Sequence, residues 1–250
     1  MSRHLRLWPA SAVMAALAMP VAADLFQFTG SAERADGTPL YDEQHRVEGF
    51  CESGIFQPLE HQVTYIRRAE AGEKAFANKM LDYTPSSIRP GVNFRQPDFK
   101  ESLKITYPNS GSVAVAWQKP GGDIERSSVK VSDNLVVDAG FDNLVRENWE
   151  KVVSKNSVKF RFLAPTRGTD YAFILEPAQS EAIDADHVVQ IRPVNLVLKF
   201  LVDPIILGYN SKGALTAYSG LTNVRENADR NYTAAIRYTV SRYPECELTR

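Results

Sequence analysis

A mainly β fold of the α+β kind, with a curved antiparallel sheet or half-barrel wrapped around one main amphipathic helix, is what this sequence predicts. Three observations lead there. Apolar and polar residues alternate in short runs along most of the chain. Turn dipeptides such as Asp36-Gly37 and Gly121-Gly122 separate those runs at short intervals. One stretch, 139–155, changes to helical spacing.

The run 25–32 alternates, Asp36-Gly37 is a strong hairpin dipeptide because both residues accept the backbone of a tight primed turn, and 40–47 returns. The returning strand carries Tyr41, Asp42, Glu43, Gln44, His45 and Arg46, so it is expected at a sheet edge or with one face in water. Leu59, His61, Val63 and Tyr65 alternate with Glu60, Gln62 and Thr64, and Ala71-Gly72 turns the chain into 74–83 as a second hairpin. Pro85, Pro90, Gly91 and Pro97 mark 84–99 as a long ordered loop. Runs 102–107 and 112–118 flank Pro108-Asn109-Ser110-Gly111 in a third hairpin, and Gly121-Gly122 leads into 124–131.

Within 139–155, Phe141, Leu144, Val145, Trp149, Val152 and Val153 form one apolar stripe, while Asn143, Arg146, Glu147, Glu150 and Lys151 take the other side. Asp138 is expected to cap this helix, and Asp142 lies in its first turn, where the helix dipole favours an anion. Strands follow at 158–163, 171–175, 187–192, 205–209, 215–218 and 232–243. A lone amphipathic helix among strands must bury its stripe on a sheet face or leave a large apolar patch exposed, and a sheet curving around it is the simplest solution.

Residues 1–23 read as a cleavable secretory leader. Arg3 and Arg6 precede the apolar stretch 7–19, Pro20 ends it, and Val21 and Ala23 supply a small-residue cleavage site before Asp24. The stretch falls short of the roughly 20 apolar residues a spanning helix needs. No later run is apolar enough to span either, since 194–207 is interrupted by Lys199, Asp203 and Pro204. The remainder, 24–250, is expected to be a single β-rich domain of the periplasm, because no linker, charge run or repeat divides it. Cleavage removes two of the 29 basic residues and none of the 30 acidic ones, moving the net charge from −1 to −3. A surface of that sign gives no reason to expect nucleic acid or anionic lipid as a partner. Cys51 and Cys246 remain, an even count that suggests a bridge in an oxidising compartment; two buried free thiols are the alternative.

The segments Asn134-Leu-Val-Val-Asp-Ala-Gly-Phe-Asp-Asn-Leu-Val-Arg-Glu-Asn-Trp149, Phe160-Arg-Phe-Leu-Ala-Pro-Thr-Arg167 and Leu201-Val-Asp-Pro-Ile205 resemble a family of uncharacterised exported proteins of Gram-negative bacteria. The resemblance includes Phe28-Thr-Gly30 and Leu40-Tyr41, covers most of the chain beyond the leader, and implies export without a known activity. The β-helix-β order is also similar to that of the lipoprotein carrier and receptor proteins of the periplasm, whose half-open sheet wraps a helix and holds acyl chains. That second likeness is one of topology.

Motifs for catalysis fail on context. Ser127-Ser-Val-Lys130 and Ser132-Asp133-Asn134 match the S-x-x-K and S-D-N forms of penicillin-recognising enzymes, but Val129 and Val131 alternate as in a strand and would point Ser127 and Lys130 to opposite faces. His45, Cys51 and His61 match no metal-ligand spacing, and histidines in polar strands are ordinarily surface residues. Neither a cofactor nor a metal is expected.

The leading expectation is a non-catalytic periplasmic protein that binds a lipid or other apolar ligand, or maintains the cell envelope. Asp138, Phe141, Asp142, Arg146, Trp149, Phe160 and Phe162 are the ligand-binding candidates, with Phe26, Phe28, Tyr171 and Phe173 available to line, or to fill, the same concavity. Capping, a surface ion pair and core packing explain these residues without a ligand. The alternatives are a periplasmic hydrolase using the acids near the helix start and a protein-interaction module without a small ligand; perturbed carboxylates beside a cleft would favour the hydrolase.

Overall fold

The computed structural model describes residues 23–69, 72–195 and 203–250. All of the expected leader but its last residue therefore lies outside the described residues, as does half of the apolar run 194–207.

The first half of the chain is a meander. Strand β1 (Asp24–Glu33) turns at Asp36-Gly37 into β2 (Pro39–Glu52), and a further turn at Ser53-Gly54 leads into β3 (Ile55–Ala69). Strands β4 (Gly72–Asp82), β5 (Gly91–Gln96), β6 (Glu101–Asn109), β7 (Ser112–Gln118) and β8 (Ile124–Lys130) follow. After the two-residue β9 (Leu135–Val136) come helices α1 (Gly140–Glu147) and α2 (Trp149–Val153). The chain returns through β10 (Val158–Ala164), β11 (Thr169–Pro177), β12 (His187–Pro193), β13 (Ile205–Tyr209), β14 (Leu215–Arg225) and β15 (Asn231–Arg242).

All of these strands belong to one 15-stranded sheet, ordered β8-β7-β6-β5-β4-β3-β2-β1-β15-β14-β13-β12-β11-β10-β9. Its middle is the pairing of the first strand with the last, Gly30 opposite Tyr238, and the sheet grows outward from there in both directions. Strand twist accumulates over so many strands and curls the sheet. One end comes back against the other half without a hydrogen-bonded ladder: β8 packs beside β11, and Gly168, at φ +62°, lies so close that a Cβ there would sit 2.8 Å from that of Ser127. The fold is the expected curved, mainly β sheet with one main helix.

Alternation along the strands sends one row inward. Tyr65, Phe94, Ile105, Val115, Phe160, Leu175 and Ile236 belong to the main core. Phe26, Phe28, Val47, Phe56 and Leu248 form a separate, smaller cluster. The Phe26–Phe28 pair and Phe160 thus do not line one concavity, contrary to expectation, because β1 and β10 stand well apart in the sheet order. Polar clamps tie the halves together. The Gln96 carboxamide, fully buried, donates to the Arg225 carbonyl (3.0 Å) and accepts from the Arg225 N–H (2.7 Å), and the Arg225 guanidinium grips Glu101 at 2.9 Å.

Of the two placements expected for β2, the second holds: it is paired on both sides and shows one face to water, while its inner face buries Tyr41 and Glu43. Two further expectations are corrected. The stretch 84–99 is not loop throughout, because β5 lies inside it with Val92, Phe94 and Gln96 pointing inward. Pro90 and Pro97 flank that strand, where their missing donors cost no ladder bond. The helix is broken at Asn148, whose side-chain amide donates back to the Leu144 carbonyl (2.9 Å).

Cys51 and Cys246 are bridged, with Cα atoms 5.9 Å apart, fastening the end of β2 to the carboxy-terminal tail.

Candidate functional site

The helix start is built by its neighbours more than by its own cap. Asp138 adopts φ +47°, a left-handed conformation that Asp tolerates because its short side chain bonds locally, here accepting the Ala139 N–H at 2.7 Å. It is not the N-cap; Ala139 holds that position and no side chain caps the helix. The Asp138 carboxylate instead receives Lys79 Nζ of β4 (2.8 Å) and the Asn223 amide of β14 (3.1 Å), an ion pair almost wholly inside the protein. The 84–90 loop clasps the same end. The Val137 N–H donates to Ile88 O (3.0 Å), Asn143 Nδ2 donates to Ser87 O (2.8 Å), and the Ser87 hydroxyl donates to Glu147. Gly140 presses against this loop, where a Cβ would stand 2.1 Å from Ile88 O.

Asp142 and Arg146 pair at 2.8 Å, but not at the surface as expected. The apolar stripe is wide enough to carry them inside, where Arg146 is 8% exposed, donates from Nε to Gly213 O (3.0 Å) and lies over the Phe26 ring. Burial pushes the Asp142 carboxyl up, and the Arg146 cation opposes that shift. The Tyr209 ring of β13 stands beside Asp142, and its own hydroxyl is pushed up by burial. Trp149 contacts Tyr209 and His187 edge to face, with ring centroids 6.1 Å and 5.0 Å apart. Asp142, Arg146 and Trp149 thus gather around Tyr209, a residue that the sequence did not single out.

His45 and His61 also face inward, contrary to the surface reading, because the inner row of β2 and β3 carries them. His45 Nδ1 lies 2.9 Å from His61 Nε2, His45 Nε2 lies 2.8 Å from Glu43 Oε2, and the Tyr238 hydroxyl donates to the same oxygen at 3.0 Å. Phe28 stacks on His45 at 4.2 Å. Burial, helped by His45, Lys79 and Arg146, holds the His61 imidazole well below its ordinary pKa. Glu43 and His45 are two apart on one strand and so share a face, which is the signal that could have found this chain.

Phe160 and Phe162 lie elsewhere. They form an aromatic triangle with Phe173, centroids 5.9 to 6.2 Å apart, in which Phe160 is 1% exposed while Phe162 and Phe173 are only partly buried. Phe141 is partly buried against the main core. Ser127 and Lys130 lie on β8, so they share no helical turn. Six of the seven candidates therefore occupy three neighbourhoods, the Asp138 cluster, the Tyr209 cluster and the Phe160–Phe162 wall, and Phe141 packs separately against the core.

No protein-family model matches this chain, and no curated protein matches it. Among solved structures it is similar to a β-barrel-like protein of domain of unknown function DUF1849 from Brucella abortus, at 8% identity over 88% of this chain and 96% of that one, with a TM-score of 0.40. It is also similar to a putative outer membrane lipoprotein-sorting protein domain from Vibrio parahaemolyticus, at 10% identity over 89% of this chain and 85% of that one, TM-score 0.28. The second is the kind of protein whose element order the sequence resembles. Neither likeness carries an argument about function.

Proposed function

We propose that this is a non-catalytic protein of the periplasm that takes a lipid or other apolar ligand at the seam where β8 meets β11. The observation that carries the reading is the aromatic wall: Phe162, Tyr171 and Phe173 stand together at intermediate exposure beside the fully buried Phe160. Phe162 lies near the end of β10, and the turn that follows sets Gly168 against Ser127 of β8, a junction held by packing with no ladder across it. Parting two elements joined by side chains alone breaks no backbone hydrogen bonds, so the seam is the least costly place to admit a chain of methylenes. The disulfide suits an oxidising compartment. Asp138 and Asp142 anchor the helix on this reading, each held by a buried cation.

The test is native mass spectrometry of protein prepared gently from the periplasmic fraction, together with titration by a fluorescent fatty-acid analogue. Wild type should carry or take up the apolar ligand, and Phe162→Asp should lose it while keeping its urea midpoint near that of wild type. A wild-type protein that neither carries lipid nor takes up the analogue defeats the reading.

A further inference from the structure

The outward face of β2–β8 lies on the side of the sheet away from the inward aromatic wall and has a composition of its own. Followed across the strands in register, outward residues fall into rows. In one row Arg46 stands opposite Gln62, Gln62 opposite Met80, Met80 opposite Asn93 and Asn93 opposite Lys104, and Lys104 is followed through Ala116 by Arg126. In the adjacent row Gln44, Thr64, Asn78 and Arg95 follow one another, and Ser102, Gln118 and Ile124 complete it. The two rows hold four cations and five carboxamides and not one acid, in a chain whose net charge is −1. Arg46 is paired with Glu48 of the flanking row, whereas Arg95, Lys104 and Arg126 have no ion-pair partner among the described residues. A shallow depression lined by Gln62, Thr64, Asn78, Met80, Asn93 and Arg95 lies in the middle of the band.

We propose that this band binds an acidic glycan strand laid across β2–β8. Seven strands at about 4.8 Å spacing give a track of about 29 Å, long enough for several sugar rings. The carboxamides offer donors and acceptors, the pattern that adjacent sugar hydroxyls complement, although Gln62 already donates one N–H to Glu60 (2.8 Å), and the unpaired cations supply charge complementarity to carboxylate or phosphate substituents. Two competing polyanions fit less well. An anionic bilayer is held by basic residues together with apolar side chains that enter the interface, and Met80 and Ile124 are the only large apolar residues in the two rows. Single-stranded nucleic acid needs aromatic platforms, and the rows contain none.

The experiment uses the full processed protein and calorimetric titration with polygalacturonate, against neutral dextran, phosphatidylglycerol vesicles and single-stranded DNA. Polygalacturonate should bind, dextran at least about tenfold more weakly, and affinity should fall as salt rises. Lys104→Glu/Arg126→Glu should lower affinity for polygalacturonate at least about tenfold, as reversing charges on a recognition surface does. Asn78→Ser/Asn93→Ser, which leaves every cation in place, should weaken it at least about threefold, a loss of the size of a hydrogen bond or less. Lys159→Glu on the exposed face of β10 should leave it unchanged. Urea midpoints of all variants establish that they fold. The proposal is overturned if polygalacturonate does not bind, if vesicles or DNA bind as tightly, if the serine variant binds like wild type, or if Lys159→Glu weakens binding as much as the paired reversal.

Discussion

Lys79 and Asp138 illustrate how this protein treats charge at the level of single residues. Both are at least nine-tenths buried, and a buried pair is costly to break because one partner's removal leaves the other charge without compensation. Asp138→Ala should therefore destabilise the fold by about 3 to 5 kcal/mol, and Asp138→Asn by less, since the amide keeps an acceptor for Lys79. Arg46→Ala, which breaks an exposed pair, should change stability by no more than about 0.5 kcal/mol. Urea unfolding of the three variants makes the comparison. His61 yields a prediction in pH. Its folded imidazole resists protonation, while in the unfolded chain it takes up a proton near pH 6.5. The stability it contributes is complete above about pH 6.5 and is lost as pH falls toward the depressed folded value, because the unfolded state then binds the extra proton. His61→Gln should flatten the decline of the urea midpoint between about pH 6.5 and 5; a slope equal to that of wild type would show that His61 does not titrate in this way.

At the level of elements, the period-2 runs were legible because each strand has a wet face and a dry one. The hairpins at Asp36-Gly37 and Gly121-Gly122 stand where the turn residues placed them. Strand β5 was not legible, since prolines within a short span read as loop until both neighbours of the strand are known. The helix stripe was legible too, and its central residue can be tested. Trp149 is 9% exposed, so Trp149→Ala should cost about 3 to 5 kcal/mol, whereas Glu147→Ala on the exposed side should cost about 0.5 kcal/mol or little more. If the Trp149 variant unfolds near the wild-type midpoint, the stripe is not part of the core. Gly140 tests the other side of the same helix. A side chain there meets the Ile88 carbonyl, so Gly140→Val should destabilise by about 1 to 3 kcal/mol or more despite valine's lower backbone entropy cost.

For the whole molecule the dominant fact is that the first strand pairs with the last. Residues distant in sequence must meet before the sheet has a middle, and such non-local pairing is slow to form. The disulfide spans 195 residues of this topology. Chain-entropy reasoning assigns about 5 kcal/mol to closing so long a loop, less any strain. Cys51→Ser/Cys246→Ser should accordingly lower the urea midpoint by a large fraction of a typical domain's total stability. Thiol labelling of the denatured, unreduced wild type should find no free thiol; two labelled thiols per chain would mean that the bridge is absent.

The sequence by itself determined the strand rhythm, the place of the helix and the polar character of β2, because turn chemistry and the two periodicities are local properties of the chain. It also carried the even pair of cysteines and the helical spacing of Asp142 and Arg146. Only the tertiary structure decided that Lys79 would meet Asp138, that Tyr209 would gather three of the candidates, that Glu43, His45 and His61 would turn inward, and that the outward rows of β2–β8 would align without an acid. Each of these depends on register and sheet order, which bring together residues tens to more than a hundred positions apart. No local pattern encodes those distances: a one-residue slip in any pairing would send the same side chains to the opposite face.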